Sequence, residues 1–219
     1  MFPALAIVPR RCLPVLAMAA SCCLAAQANV GPADNLANLS IEELSNLQIT
    51  SVSRKAERLG DAAASVFVIR ADDIRRAGAR SLPEALRLAP NLQVARVDAR
   101  TYAITARGFN NALANKLLVL IDGRIVYTPL FSGVFWEAQD LVMADIERIE
   151  VISGPGATLW GANAVNGVIN ILTRSAADTS GGLLQAGAEH DGRDASLRWG
   201  GKLGERAAWR AYGKVVEVD

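Results

Sequence analysis

The chain has 219 residues, 51% of them hydrophobic, which is enough to bury a core and unlike a disordered composition. Its formal net charge of +1 gives no electrostatic case for nucleic acid as a partner. The three cysteines, Cys12, Cys22 and Cys23, all lie in the first stretch, and His190 is the only histidine, set in a polar, Gly-containing turn. That inventory excludes a Cys/His zinc site and a disulfide framework in the mature domain, and it is poor material for a Ser-His-Asp triad. No cofactor, no metal site and no enzymatic activity are expected.

Arg10-Arg11 precede an apolar run from Cys12 to Ala26 that ends in Ala26-Gln27-Ala28. A basic start, a short apolar core and an A-x-A site predict a secretory signal peptide over residues 1–28. The run is too short and too rich in small residues for a transmembrane helix. A lipoprotein signal is the rival, since Ala20-Ser21-Cys22 could present an acylated cysteine, but the leucine expected three residues before it is absent. Cleavage after Ala28 removes two arginines and no acids, taking the net charge to about −1.

Residues 29–58 read as an N-terminal extension. Asn29–Asn38 is small and polar, and Ser40-Ile41-Glu42-Glu43 fits a capping box opening a short helix through Leu44 to Leu47. Gln48–Ser53 is β-prone, ahead of the charged Arg54–Arg58. Next, Val66–Ile69 reads as a strand, Asp72-Asp73 as a cap for a helix from Ile74 to Ala77, and Gly78 as its left-handed stop. Ser81-Leu82-Pro83-Glu84 repeats the capping-box pattern, with Leu82, Ala85, Leu86 and Ala89 on one helical face and Pro90 ending it. Leu92–Val97 and Ala103–Arg107 alternate as half-buried strands, whereas Leu117–Ile121 is uniformly apolar and predicts a strand covered on both faces. Asp122-Gly123 is a two-residue hairpin turn returning through Arg124–Tyr127. Tyr127–Trp136 concentrates aromatics in a loop with Pro and Gly, the composition either of a binding surface or of rings packed into a core.

Glu147–Arg174 is the most informative stretch. Two β-branched runs, Ile149–Ile152 and Val168–Leu172, flank a loop carrying Gly154, Pro155, Gly156, Gly161 and Gly167. Neither nucleotide motif fits. A phosphate-cradling loop would need Lys and Ser/Thr after its second Gly, where Ala162 and Asn163 follow Gly161; a dinucleotide fingerprint would need a Gly where Leu159 stands.

The same residues, E-R-I-E-V-I-x-G-P-x-x-x-L-W-G-x-x-A-x-x-G-V-I-N-I, resemble the closing segment of the plug domain of TonB-dependent outer-membrane receptors. The resemblance extends over roughly Leu39–Arg174, with Arg107-Gly108-Phe109 similar to the family's R-G-F element and Leu118–Gly123 similar to its L-V-L-I-D-G element. It implies a plug domain over residues 59–175 of α+β class, a small mixed sheet, with Gly108, Gly123, Gly154, Gly161 and Gly167 as structural glycines. It also implies a TonB box just before the plug, for which Ile49, Thr50, Ser51, Val52 and Ser53 are candidates. Pairing with TonB, the inner-membrane energy-coupling protein, would proceed by strand addition, in which backbone hydrogen bonds give affinity and tolerate loose sequence. There is no room between signal peptide and box for an extra signalling domain. Arg107, Glu147, Arg148 and Glu150 would form a polar set holding the plug inside the barrel wall. Arg100, Tyr102, Tyr127, Phe131, Phe135 and Trp136 are candidates to face the ligand, which the resemblance leaves open between a ferric siderophore, cobalamin and a glycan, the iron-siderophore complex favoured by family frequency.

After Ser175–Ser180 the texture changes. Gly182–Glu189, Ala195–Gly200 and Ala207–Val218 alternate, with Trp209 and Tyr212 among the aromatics, as the first antiparallel strands of a transmembrane β-barrel would over residues 176–219. The resemblance then places the protein in the outer membrane of a Gram-negative bacterium, in contact with its lipid, the plug on the periplasmic side of the barrel. Open sheet edges do not survive in lipid, and receptors of this kind have about 22 strands, so Asp219 is expected to be a truncation. The alternative expectation is a stand-alone periplasmic module that binds a ligand or a protein.

Overall fold

The computed structural model describes residues 45–49, 57–58, 61, 64–98, 101–108, 116–128, 130, 133–154, 160–161, 163–189 and 192–218. The expected signal peptide, Thr50–Ser53, Arg100 and Phe131 lie outside those residues, as does Leu44 of the expected Leu44–Leu47 helix, of which Ser45 is helical and Asn46 and Leu47 are not.

Twelve strands and two α-helices follow in chain order among the described residues. The strands are β1 (Gln48–Ile49), β2 (Glu57–Arg58), β3 (Ser65–Arg70), β4 (Leu92–Arg96), β5 (Tyr102–Ala106) and β6 (Leu117–Ile121). Then come β7 (Arg124–Ile125), β8 (Ile146–Ser153), β9 (Gly167–Thr173), β10 (Gly181–Glu189), β11 (Gly192–Leu203) and β12 (Ala207–Val218). The helices α1 (Ala71–Arg76) and α2 (Leu82–Leu86) lie between β3 and β4.

The N-terminal domain is organised on a five-stranded mixed sheet in the order β3-β8-β9-β6-β7, in which only the β6–β9 pair is parallel. All five residues of β6 are buried, as its unbroken apolar run requires. Successive side chains point to opposite faces, so the run feeds two cores. Leu117, Val119 and Ile121 join Ile149, Val151, Ile169 and Ile171 under Ile74, Leu82, Ala85 and Leu86 of the helices. Leu118 and Leu120 join Ile152, Val168 and Ala164 on the other face, with Trp160 packed against them. Each fully buried side chain of this size contributes roughly 1.5–3 kcal/mol.

Turn chemistry sets the register. Asp122 and Gly123 have φ of 50° and 78°, the positive pair that a two-residue primed hairpin demands, and Ile121 faces Arg124 across it. The Asp122 carboxylate accepts hydrogen bonds from the backbone N–H (2.8 Å) and hydroxyl (2.9 Å) of Thr173, fastening the hairpin to the end of β9. The return strand is shorter than the expected Arg124–Tyr127, because only Arg124 and Ile125 pair.

Both helix starts differ from expectation. The first begins at Ala71, so Asp72 and Asp73 lie in its first turn rather than at its cap, and Asp73 accepts from the backbone N–H of Arg70 (3.1 Å). In the second, Ser81 occupies the cap position without a side-chain cap bond, and the Glu84 carboxylate takes the N–H of Arg80 (2.8 Å), one residue earlier than a capping box would place it.

The remaining strands form separate units. β1 pairs with β2 and β4 pairs with β5, both antiparallel. β10, β11 and β12 form a three-stranded antiparallel sheet with continuous register from Gly181↔Gly200 through Leu203↔Ala207. β11 extends beyond the expected Ala195–Gly200 on both sides.

Candidate functional site

The glycine-bearing segment between β8 and β9 brings two strands together at a point where no side chain fits. A Cβ on Gly167 would overlap the carbonyl oxygen of Ile152, so this position must be glycine for β9 to leave the loop against β8. Downstream of that close approach, the face of the sheet shared with the second core carries charge. Glu150 is 0% exposed and accepts from Nε of Arg148 at 2.8 Å, while the other arm of Arg148 pairs with the exposed Glu147. A carboxylate taken that far from water persists because the guanidinium accompanies it. The structure therefore brings together three of the four residues expected to form a polar set. Arg107 stands apart, exposed, in the left-handed region (φ 61°), its guanidinium 3.9 Å from where a Gly154 side chain would begin.

The C-terminal sheet is polarised in the opposite sense. Along β11 the residues facing the N-terminal domain are Asp194, Ser196 and Arg198, and along β12 they include Arg210 and Lys214. The outward residues Leu184, Leu197, Trp199, Leu203, Trp209 and Val215 are exposed. Three ion-pair contacts join the two units. Arg80 pairs with Asp194, next to Gly187, whose missing side chain leaves the room that the pair occupies. Lys214, 8% exposed, pairs with Asp140 and approaches the carbonyls of Arg80 (3.4 Å) and Leu141 (3.5 Å). Asp145, with its side chain 5% exposed, takes Arg198 on one oxygen and Arg210 at 3.5 Å on the other. These seven cations and acids were not singled out from the sequence. The available signal was the alternation itself, since Asp194, Ser196 and Arg198 occupy one face of a strand whose other face is Leu197 and Trp199.

A cavity of about 370 Å³ lies between the two units, lined by Arg80, Arg96, Tyr102, Trp136, Asp194 and Lys214 among others. Of the residues expected to face a ligand, Tyr102 and Trp136 reach it. Trp136 is nevertheless 7% exposed and belongs to the main core, the second of the two arrangements that the sequence left open for the aromatics of this loop. Tyr127 is half-buried and Phe135 is 38% exposed. At the other end, Ile49 is fully buried and pairs with Glu57 across β1–β2.

With this geometry in place, the comparisons with known proteins are informative. The family model described as the TonB-dependent Receptor Plug Domain matches residues 58–168. The chain is 32% identical over 145 residues to the vitamin B12 transporter BtuB of Vibrio vulnificus, covering 65% of this chain and 23% of that protein. It is 31% identical over 180 residues to the ferric enterobactin receptor of Pseudomonas aeruginosa, covering 72% and 24%. Among solved structures, the siderophore receptor PirA of Pseudomonas aeruginosa superposes with a TM-score of 0.53 at 29% identity, over 70% of this chain and 28% of that one. The chain thus spans about a quarter of the length of the curated relatives it matches.

Proposed function

This chain belongs to the TonB-dependent receptor plug family, and from that premise we propose that it supplies the plug and the first wall strands of a receptor that imports a scarce nutrient. The family is one of receptors and transporters, and it places the protein in the outer membrane of a Gram-negative bacterium. The observation that carries the proposal is the inside-out sheet β10–β12, ion-paired to the plug on one face and apolar on the other. From Ala195 to Leu203 the outward positions of β11 carry no charge, and at about 3.3 Å per residue this stretch spans roughly 26 Å. Tilted as barrel strands are, that leaves a height of roughly 20 Å, comparable to the lipid-facing band of such barrels. Charges bound it at both ends: the exposed Arg193–Glu217 pair (2.5 Å) at one, Glu205 and Arg206 in the turn at the other.

In this proposal the Arg148–Glu150–Glu147 group and the plug–wall ion pairs hold the plug in its resting position. Tyr102 and the cavity beside it lie on the ligand's route. TonB pairs with the segment Ile49–Ser53 and pulls, and because Ile49 is buried against β2, that pairing begins by freeing it. Binding outside and pulling inside are then coupled through displacement of the plug, with no covalent chemistry. The cargo is an iron-siderophore complex or cobalamin, as the names of the relatives suggest for this chain, the former favoured.

The test is deletion of Ile49–Ser53 in the receptor that carries this chain. Energised uptake of a radiolabelled ferric siderophore or of labelled cobalamin should be lost while binding at the cell surface persists. Undiminished uptake would overturn the assignment of the box.

A further inference from the structure

The three ion-pair contacts between plug and wall are not equivalent. Two are simple pairs, whereas Asp145 closes a ring. Its carboxylate takes Arg198 from β11 and Arg210 from β12; Arg210 also donates to the carbonyl of Arg174 (3.0 Å), and the N–H of Arg174 donates back to the carbonyl of Asp145 (2.8 Å). One buried carboxylate thereby joins the start of β8, the segment just past β9 and two wall strands. The side chains of Asp145, Arg198 and Arg210 are 5%, 11% and 18% exposed, so water screens the contacts little. Two guanidiniums on diagonal positions of the same face would repel each other without the shared acid.

The edge strand beside β8 is built differently. Among the described residues β3 pairs with β8 alone, its burial alternates, and Phe67 is 37% exposed. Upstream of it, β1 and β2 hold each other by two residue pairs. Along the chain, a pull from the N-terminal side therefore meets these weakly held strands before it reaches the Asp145 ring.

We propose that the Asp145–Arg198–Arg210 clasp is the fixed point of the plug: it anchors the start of β8 and the end of β9 to the wall, so that displacement pivots about those strand ends and the plug is not expelled. This rests on the function proposed above, and Asp145 is a positioning residue within it. Without the acid, an energised pull should dislodge the whole plug and leave a solute-sized opening.

The experiment uses the receptor carrying this chain in an outer membrane with working TonB, and needs no knowledge of the cargo. Entry of a large hydrophilic glycopeptide antibiotic, which an intact outer membrane excludes, is scored as sensitivity at matched receptor levels. Asp145→Asn should raise sensitivity by roughly tenfold or more, because both buried cations lose their partner. Deleting Ile49–Ser53 in the same variant should return sensitivity to the wild-type level. The swap Asp145→Arg with Arg198→Asp should restore exclusion to within about twofold, which a general packing defect would not do. Arg210→Gln, which removes only the 3.5 Å arm, serves if Asp145→Asn fails to reach the membrane, with a smaller leak of the same box dependence expected. Exclusion equal to the wild type in the variants present in the membrane overturns the clasp. So does a leak that ignores the box deletion, since the ring would then seal the plug without anchoring it against a pull. The drive by TonB is judged separately, from cargo uptake in the box deletion with Asp145 intact.

Discussion

The plug sheet and the wall sheet are made of similar residues arranged in opposite senses. In the plug, β6, β8 and β9 bury both faces, and the charge that enters, Glu150, is 0% exposed with Arg148 beside it. In β10–β12 the apolar residues turn outward, with Leu184 75%, Leu203 72% and Val215 72% exposed, while Arg198 and Lys214 are 11% and 8% exposed on the inner face. In water this arrangement would be perverse, because it exposes what burial rewards and buries what burial penalises. It becomes sensible when the outer face meets hydrocarbon and the inner face meets a charged plug.

Substitutions on the two sheets should separate accordingly. The largest effect is expected at Arg148→Ala, which removes the guanidinium beside the buried Glu150 and should cost the plug about 3–5 kcal/mol, measured by urea unfolding followed through the fluorescence of buried Trp136. A loss below about 1 kcal/mol would mean that Glu150 does not depend on its partner. Next is Leu197→Arg, in the middle of the outward band. It should cost roughly 2–4 kcal/mol when the receptor folds into lipid vesicles. A sheet that faced water would register within about 0.5 kcal/mol, and that result would break the comparison. The smallest effect belongs to Arg193→Ala at the rim of the band, where an exposed pair contributes under about 1 kcal/mol and the loss should fade in high salt.

Sequence patterns carried further in the plug than in the polar contacts. The uniform run Leu117–Ile121, the Asp122-Gly123 turn and the glycines before β9 each obey a local rule, so the strands and the hairpin were legible where they stand. Helix starts were less so, because the acids at Asp73 and Glu84 choose among several nearby N–H groups, and the choice depends on how the preceding residue is packed. Tyr127–Trp136 illustrates the same limit: an aromatic loop reads equally as surface and as core until Trp136 is seen buried in the main core.

By itself the sequence determined the α+β plug, its closing glycine segment and the alternation of the strands after Ser180, because these follow from periodicity and backbone permission within a few residues. Only the tertiary structure decided that Arg80 meets Asp194, that Asp140 meets Lys214 and that Asp145 gathers Arg198 and Arg210. Those partners lie 53 to 114 residues apart, and a charge carries no mark of which distant opposite charge it will face. That pairing is fixed by how the plug sits against its wall, which no local pattern encodes.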